Sequence, residues 1–317
     1  MNLVERSFRL EASEGLGERP RPELIGPVLA HLHETLQDTV RMGFLHSSRM
    51  RGRVPVALRL AADVRYRGHS SDGDTATLLH FEVAPFGEVA SEIFRQQRLW
   101  EDGPQPEETA FELLGAALGD VAARRTDSSR FDSGLLRRFA SYRRMFGRGH
   151  LDRIALPDVA LSQSGQLDSN VVESAKVLYS ATPAPRRVRV AGRLDLLGAS
   201  QGVLKLDTGQ GSVVTALWEG DAAVETLKEY FNRDVVIEGM AVFRPSGALL
   251  RVDATAITAA SSRDDFFRTV PSGALVQDLQ RIARLRPGEK SVYARILGSI
   301  PAEETDEEFA AAVEAMS

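Results

Sequence analysis

Strand-like alternation is densest between residues 186 and 260. Val188, Val190, Leu194 and Leu196 recur at period two, with Arg187, Arg189, Arg193 and Asp195 between them. Leu204 and Leu206 follow, then Val213, Thr215 and Leu217 set against Val214, Ala216 and Trp218. This spacing predicts three strands, because successive strand side chains point to opposite faces. Val224, Leu227 and Tyr230/Phe231 are spaced three to four apart and predict a helical interval. Two more strands are predicted over Val235–Phe243 and Leu249–Ile257, joined by Arg244-Pro-Ser-Gly247. Pro at the second and Gly at the fourth position of that tetrapeptide suit a type I turn.

The first half of the chain mixes the two periods. Val4, Phe8 and Leu10 mark a first strand. Leu24, Val28, Leu32, Leu36 and Val40 form an i, i+4 stripe that predicts a helix over 21–41, with Pro22 in its first turn. Val56, Leu58, Leu60, Ala62, Val64 and Tyr66 alternate with Arg59, Asp63 and Arg65, so a second strand is predicted there. The polar turn 68–74 then leads to Leu79, Phe81 and Val83, and residues 1–85 read as a β-α-β-β unit. Helices are predicted near 86–97, after Pro106 with Glu107 and Glu108 in the first turn, and from Asp132/Ser133, where Leu135, Leu136, Phe139, Tyr142 and Phe146 face inward. A short helix is predicted near Asp168–Tyr179, and another at Leu275–Ala283.

The fold class predicted from this order is α+β. A helix-covered N-terminal sheet spans 1–149, and a connector holding a short helix and Thr182-Pro-Ala-Pro185 spans 150–185. A five-stranded barrel spans 186–262, a helical segment 263–300 and an acidic tail 301–317. Three strands, a helix and two strands resemble the layout of an OB-fold domain, and Gly192 and Gly239 fall inside strands where a small closed barrel must bend.

Composition narrows the chemistry. With no cysteine among 317 residues, disulfides, thiolate metal sites and a cysteine nucleophile are excluded. The first residues lack the apolar core of a secretory signal, and no run approaches the length of a membrane span, so a cytoplasmic setting is expected. Net charge is −5, but its distribution is uneven. Residues 124–153 carry nine Arg against three Asp, whereas 186–260 balance nine basic with nine acidic side chains.

Three sets of residues are candidates for function. An OB-like barrel suggests single-stranded nucleic acid, held by basic side chains and stacking aromatics. For that alternative the candidates are Arg189, Arg193, Lys205, Trp218, Arg244 and Arg251 on the barrel, with Arg137, Arg144 and Arg148 lining a helix opposite its apolar stripe. His69, Asp72, Asp74 and His80 gather around the hairpin turn and offer nitrogen and oxygen ligands for a metal-dependent hydrolase. Asp-Gly-Asp is also ordinary turn chemistry. Asp63 and Glu82 add carboxylates to the wet strand face, but no lysine precedes Lys176 to complete a nuclease-type site. No phosphate-binding loop, nucleophile elbow, zinc-protease or dinucleotide motif is present, so a non-enzyme without a cofactor is expected.

The third set is at the C-terminus. Thr305 and Glu308 have capping-box spacing, and Phe309, Ala312, Val313 and Met316 fall on one helical edge. Residues 301–317 hold six acids and no base. Glu304-Thr-Asp-Glu-Glu-Phe309, followed closely by Ala-Val-Glu-Ala-Met-Ser317, resembles the ends of small bacterial antitoxins that accompany PIN-domain ribonuclease toxins. The resemblance covers this tail alone. It implies that Glu304, Thr305, Glu308, Phe309, Val313 and Met316 bind a protein partner, a toxin-type nuclease being the most concrete one. The alternatives are nucleic acid, and the basic stretch 124–153 of the chain itself or of a second copy as the dock for the acidic tail.

Overall fold

Residues 4–11 form the central strand of an antiparallel sheet because Phe8 and Leu10 point one way and Ser7 and Arg9 the other. In the computed structural model, which describes residues 2–12, 16, 22–49, 54–91, 94, 103–146, 151–159, 165–198, 202–209, 211–220 and 223–273, all described residues belong to one compact unit, Met1–Gly273. The sheet order is β2-β3-β1-β4-β5, with β1 at Val4–Glu11, β2 at Val64–Ser71, β3 at Ala76–Val83, β4 at Arg153–Ala155 and β5 at Gln166–Asp168. Phe8 is opposite Leu79 and Leu10 opposite Thr77, so one face is apolar. Edge strand β2 is largely exposed and is bulged between Tyr66 and Gly68. Charge and a bulge on an edge both oppose pairing with another chain.

Helices cover that apolar face. Helix α1 (Pro22–Leu45) buries Val28, Leu32, Leu36 and Val40, the predicted stripe. Helix α4 (Ala110–Ala122) buries Phe111, Leu114, Leu118 and Val121, and Phe111 packs on Phe8 and Phe81 with ring centroids 4.8 and 5.9 Å apart. Each such fully buried side chain contributes roughly 1.5–3 kcal/mol. Glu107 and Glu108 lie upstream of this helix rather than in its first turn. Its cap is Thr109, in a capping box with Glu112, whose carboxylate also takes Arg6 at 2.8 Å. Helix α5 (Ser133–Ser141) starts at Asp132, which accepts from the Leu135 amide, and a 3-10 turn (Tyr142–Met145) extends it.

The strand predicted over 56–66 is corrected. Residues Val56–Ala61 are a helix, α2, and the strand begins only at Val64. Leu58 and Ala61 are its buried side, while Val56 and Leu60 are exposed one turn apart. A further short helix, α3 (Phe86–Val89), buries Phe86 in the predicted 86–97 region. The segment read as a connector supplies β4, β5 and helix α6 (Ser169–Ala181), whose cap Asp168 accepts from the amides of Asn170 and Val171.

The second half closes into a five-stranded mixed barrel. Strands β6 (Arg186–Gly198), β7 (Val203–Asp207), β8 (Val213–Trp218), β9 (Asp234–Phe243) and β10 (Leu249–Ala259) are ordered β10-β8-β7-β6-β9. Parallel pairing of β10 with β8 and antiparallel pairing of β6 with β9 close the ring, an order compatible with an OB-like barrel. Val190, Leu194, Leu204, Leu206, Val214, Ala216, Ile237, Val252 and Ala254 fill it. The interval before β9 is 3-10, over Val224–Tyr230; Leu227 is buried but Phe231 is exposed. Gly192 and Gly239 behave as expected: a Cβ on Gly192 would come within 2.7 Å of the Asp207 carbonyl, and one on Gly239 would overlap the Asp253 carbonyl. Gly247 donates to Arg244 O at 2.9 Å with φ +87°, closing the predicted turn.

Barrel and sheet domain share a packed seam. Val203, Leu217, Val242 and Leu250 lie on the outside of the barrel, yet they belong to the same continuous apolar cluster as the N-terminal core. Arg251, only 6 % exposed, donates to Asp253 (2.6 Å) and to His46 O (2.7 Å), and is 3.4 Å from Asp132. Asp132 also accepts from Ser48 Oγ at 2.6 Å. The β9–β10 turn docks through Ser246 Oγ to Asp127 at 2.5 Å, Ser246 N to Thr126 O, and Arg244 to Asp127 O.

Candidate functional site

The hairpin turn does not assemble its four candidates. His80 faces the open side of the sheet, opposite Gly68, whereas His69 is opposite buried Leu79 and points to the helix side. His80 instead bonds Ser70 at 2.7 Å and approaches Glu5 at 3.3 Å, while His69 meets the Tyr66 hydroxyl. Asp72 pairs with Arg9 at 2.5 Å, and that hydrogen bond, ahead of the nearby carboxylate charges, raises the Arg9 guanidinium above its ordinary value. Asp74 is in the turn itself. Asp63 pairs with Arg65 and Glu82 with Arg67. Among the described residues no group of three potential ligands could hold a metal ion. The open face is a mesh of paired charges, continued by Arg153 to Glu11 and Ser7 to Asp158.

The barrel cations do not all share a face, although Arg189 and Arg193 lie on the same exposed side of β6. Arg189 on β6 pairs with Glu238 at 2.7 Å and stacks over Phe267. Arg193 bonds Asn232 and Asp195. Arg244 is turned onto Asp127, and Arg251 is inside the seam. Lys205 is partly buried on β7. Trp218 is half-buried at the end of β8, packed against the barrel core, with Gly220 held close to its ring. The β7–β8 outer surface is shared between seam residues Val203 and Leu217 and a remainder of Lys205, Asp207, Thr215 and exposed Val213. It presents no aromatic ring between its ends.

The Arg-rich stretch sorts into two groups. Arg125 and Arg130 are drawn onto Asp120, at 3.1 and 2.9 Å. Arg138 takes Asp38 at 3.0 Å and also Glu34. Burial keeps the Asp38 carboxyl above its usual value even against the opposing pull of Arg138 and Arg41. Arg153 is spent on Glu11. The second group meets no carboxylate at ion-pair distance among the described residues. Arg137 stacks over Tyr179, with its centre 5.5 Å from the ring centroid, and donates to the hydroxyl at 3.0 Å. Arg124 donates to Ser174 Oγ at 3.2 Å, and Arg143 and Arg144 are exposed on the 3-10 turn. Helix α6 adds Lys176, bonded to Glu173 at 2.8 Å. That bond, with Arg143 and Arg124 nearby, holds the Glu173 carboxyl below its ordinary value. The sequence pattern singles out Arg137 and Arg144. It counts Arg124 in the basic stretch but not as part of this face, and it omits Lys176 and Tyr179, which come from α6.

Arg148 and all six tail candidates, Glu304, Thr305, Glu308, Phe309, Val313 and Met316, lie outside the described residues, as does the helix predicted at Leu275–Ala283. Among the described residues no helix is long and apolar enough to cross a membrane. Comparisons with family models, with curated proteins and with solved structures find no match.

Proposed function

We propose that this chain is a non-catalytic binding protein whose residues 301–317 capture a protein partner, in the manner of an antitoxin that neutralises or scaffolds a toxin-type nuclease. The observation that carries the reading is the tail itself: capping-box spacing at Thr305 and Glu308, an apolar edge of Phe309, Val313 and Met316, and six acids without a base. A segment this short does not hold a helix alone. An apolar groove on a partner supplies the missing stabilisation, and the acids steer it towards a basic surface. Support also comes from the barrel, where Arg189, Arg193, Arg244 and Arg251 are engaged within the chain.

The test is capture from the native host with the full chain and with a chain ending before Pro301. The full chain is expected to retain the partner and the shortened one to lose it, with the melting temperature of the remainder unchanged. Phe309→Ala is expected to weaken capture by roughly 1–3 kcal/mol, the scale of a buried aromatic anchor. Equal capture by both chains would sink the reading.

A further inference from the structure

We propose that the α5–α6 face is a second binding site, which takes the phosphate backbone of duplex DNA without reading its sequence. The site joins Arg124 from the end of α4, Arg137 on α5, Arg143 and Arg144 on the 3-10 turn, and Lys176 on α6. Its geometry follows from the contacts. Arg124 reaches Ser174 and Arg137 reaches Tyr179, five residues further along α6. Arg143 and Arg124 both act on Glu173. The two helical segments thus run antiparallel and present one continuous cationic strip.

Five cations face a single carboxylate, Glu173, in that strip. Elsewhere in the Arg-rich stretch, carboxylates are supplied within the fold: Asp120 for Arg125 and Arg130, Asp38 for Arg138 and Glu11 for Arg153. From Arg137 to Arg144 the strip extends roughly 10 Å at helical rise. Over that length duplex DNA presents about six phosphate charges, one per ~1.7 Å. Guanidinium forks match phosphate oxygens in pairs.

One feature favours a duplex backbone over a single strand. Single-strand binding draws on several exposed aromatic faces for bases to stack on, and the strip has one ring, Tyr179, with Arg137 stacked over one side of it. The residues of this site belong to α4, α5, its 3-10 turn and α6, and none of them to the barrel.

The experiment is fluorescence anisotropy of the full chain with two duplex DNAs of unrelated sequence, from about 50 to about 200 mM salt. Equal affinities are expected, with a log–log salt slope of about −3 to −4, as for about four neutralised phosphates. Arg143→Ala with Arg144→Ala should weaken both complexes at least about tenfold and make the slope shallower by about 2. Arg187→Ala with Arg193→Ala, on the barrel, should leave both unchanged. Circular dichroism checks that both variants fold. Failure to bind at the lowest salt, an equal loss in the barrel variant, or tighter binding of single-stranded RNA or polyglutamate would each overturn the proposal.

Discussion

Arg251 is buried in the seam between barrel and sheet domain, where its guanidinium meets both Asp253 and Asp132. A buried ion pair adds little over an apolar filling, but removal of one partner leaves the other charged and desolvated. Arg251→Ala is therefore expected to destabilise the chain by about 3–5 kcal/mol in urea unfolding. Arg251→Lys should lose less, because its ammonium keeps a positive charge beside the carboxylates, although it cannot bridge both as the fork does. A loss under about 1 kcal/mol for the alanine variant would show that Ser48 and the Leu135 amide satisfy Asp132 unaided. Asp38 offers a test with a defined sign. Its carboxyl is raised in the folded state by burial, so the folded state binds the extra proton and the contribution of Asp38 to stability falls as pH rises from the ordinary aspartate range through the raised value. The difference in unfolding free energy between the native chain and Asp38→Asn should thus shift against the native chain over that interval. A difference independent of pH would contradict the assignment. At this scale the sequence reports which residues are charged and not which are already spent. Arg125, Arg130 and Arg138 look like Arg137 and Arg144 until the fold brings Asp120, Asp38 and Glu34 beside them. Arg251 had one local signal, Asp253 two residues on along the same strand face.

The elements were legible where their periodicity ran long. Helix α1 and the five barrel strands could be read from their apolar spacing, as could the starts of α5 near Asp132/Ser133 and of α6 near Asp168. Val56–Ala61 was misread because a six-residue helix with Val56 and Leu60 exposed one turn apart leaves an alternating trace that also fits a strand. Strands β4 and β5, three residues each, are too short to show any period, so the sheet's second half looked like a connector. Backbone approach separates two glycines that the sequence treats alike. Gly119 lies within α4, where an added Cβ would meet nothing within 4 Å, so Gly119→Ala should stabilise the chain by about 0.5–1 kcal/mol through helix propensity. Gly239 faces the Asp253 carbonyl across the β9–β10 ladder, so Gly239→Ala should destabilise by about 1–3 kcal/mol or more. Thermal melts of the two variants should move in opposite directions, and a neutral Gly239→Ala would mean that β9 and β10 separate without cost.

Over the whole described body, the sheet domain and the barrel have separate strand systems but one apolar seam. Val203, Leu217, Val242 and Leu250 face outward from a barrel whose own interior is already filled. Water would meet four large aliphatic side chains if the barrel stood alone, and each loses roughly 1.5–3 kcal/mol of burial on exposure. The polar contacts act in the same sense. Arg251 bridges β10 to the cap of α5, and the β9–β10 turn is fastened to Thr126 and Asp127. Neither domain can therefore unfold without exposing the seam of the other, and residues 1–273 should melt as one cooperative unit. Calorimetry is expected to give a single transition with equal calorimetric and van't Hoff enthalpies. The combination of Arg251→Ala with Ser246→Ala should lower the transition and, if it breaks the coupling, split it in two, with the barrel alone retaining its parallel β8–β10 closure. Two well-separated transitions in the native chain would refute the coupling. They would also remove the reason that the outer surface of β7 and β8 is partly closed by its own chain.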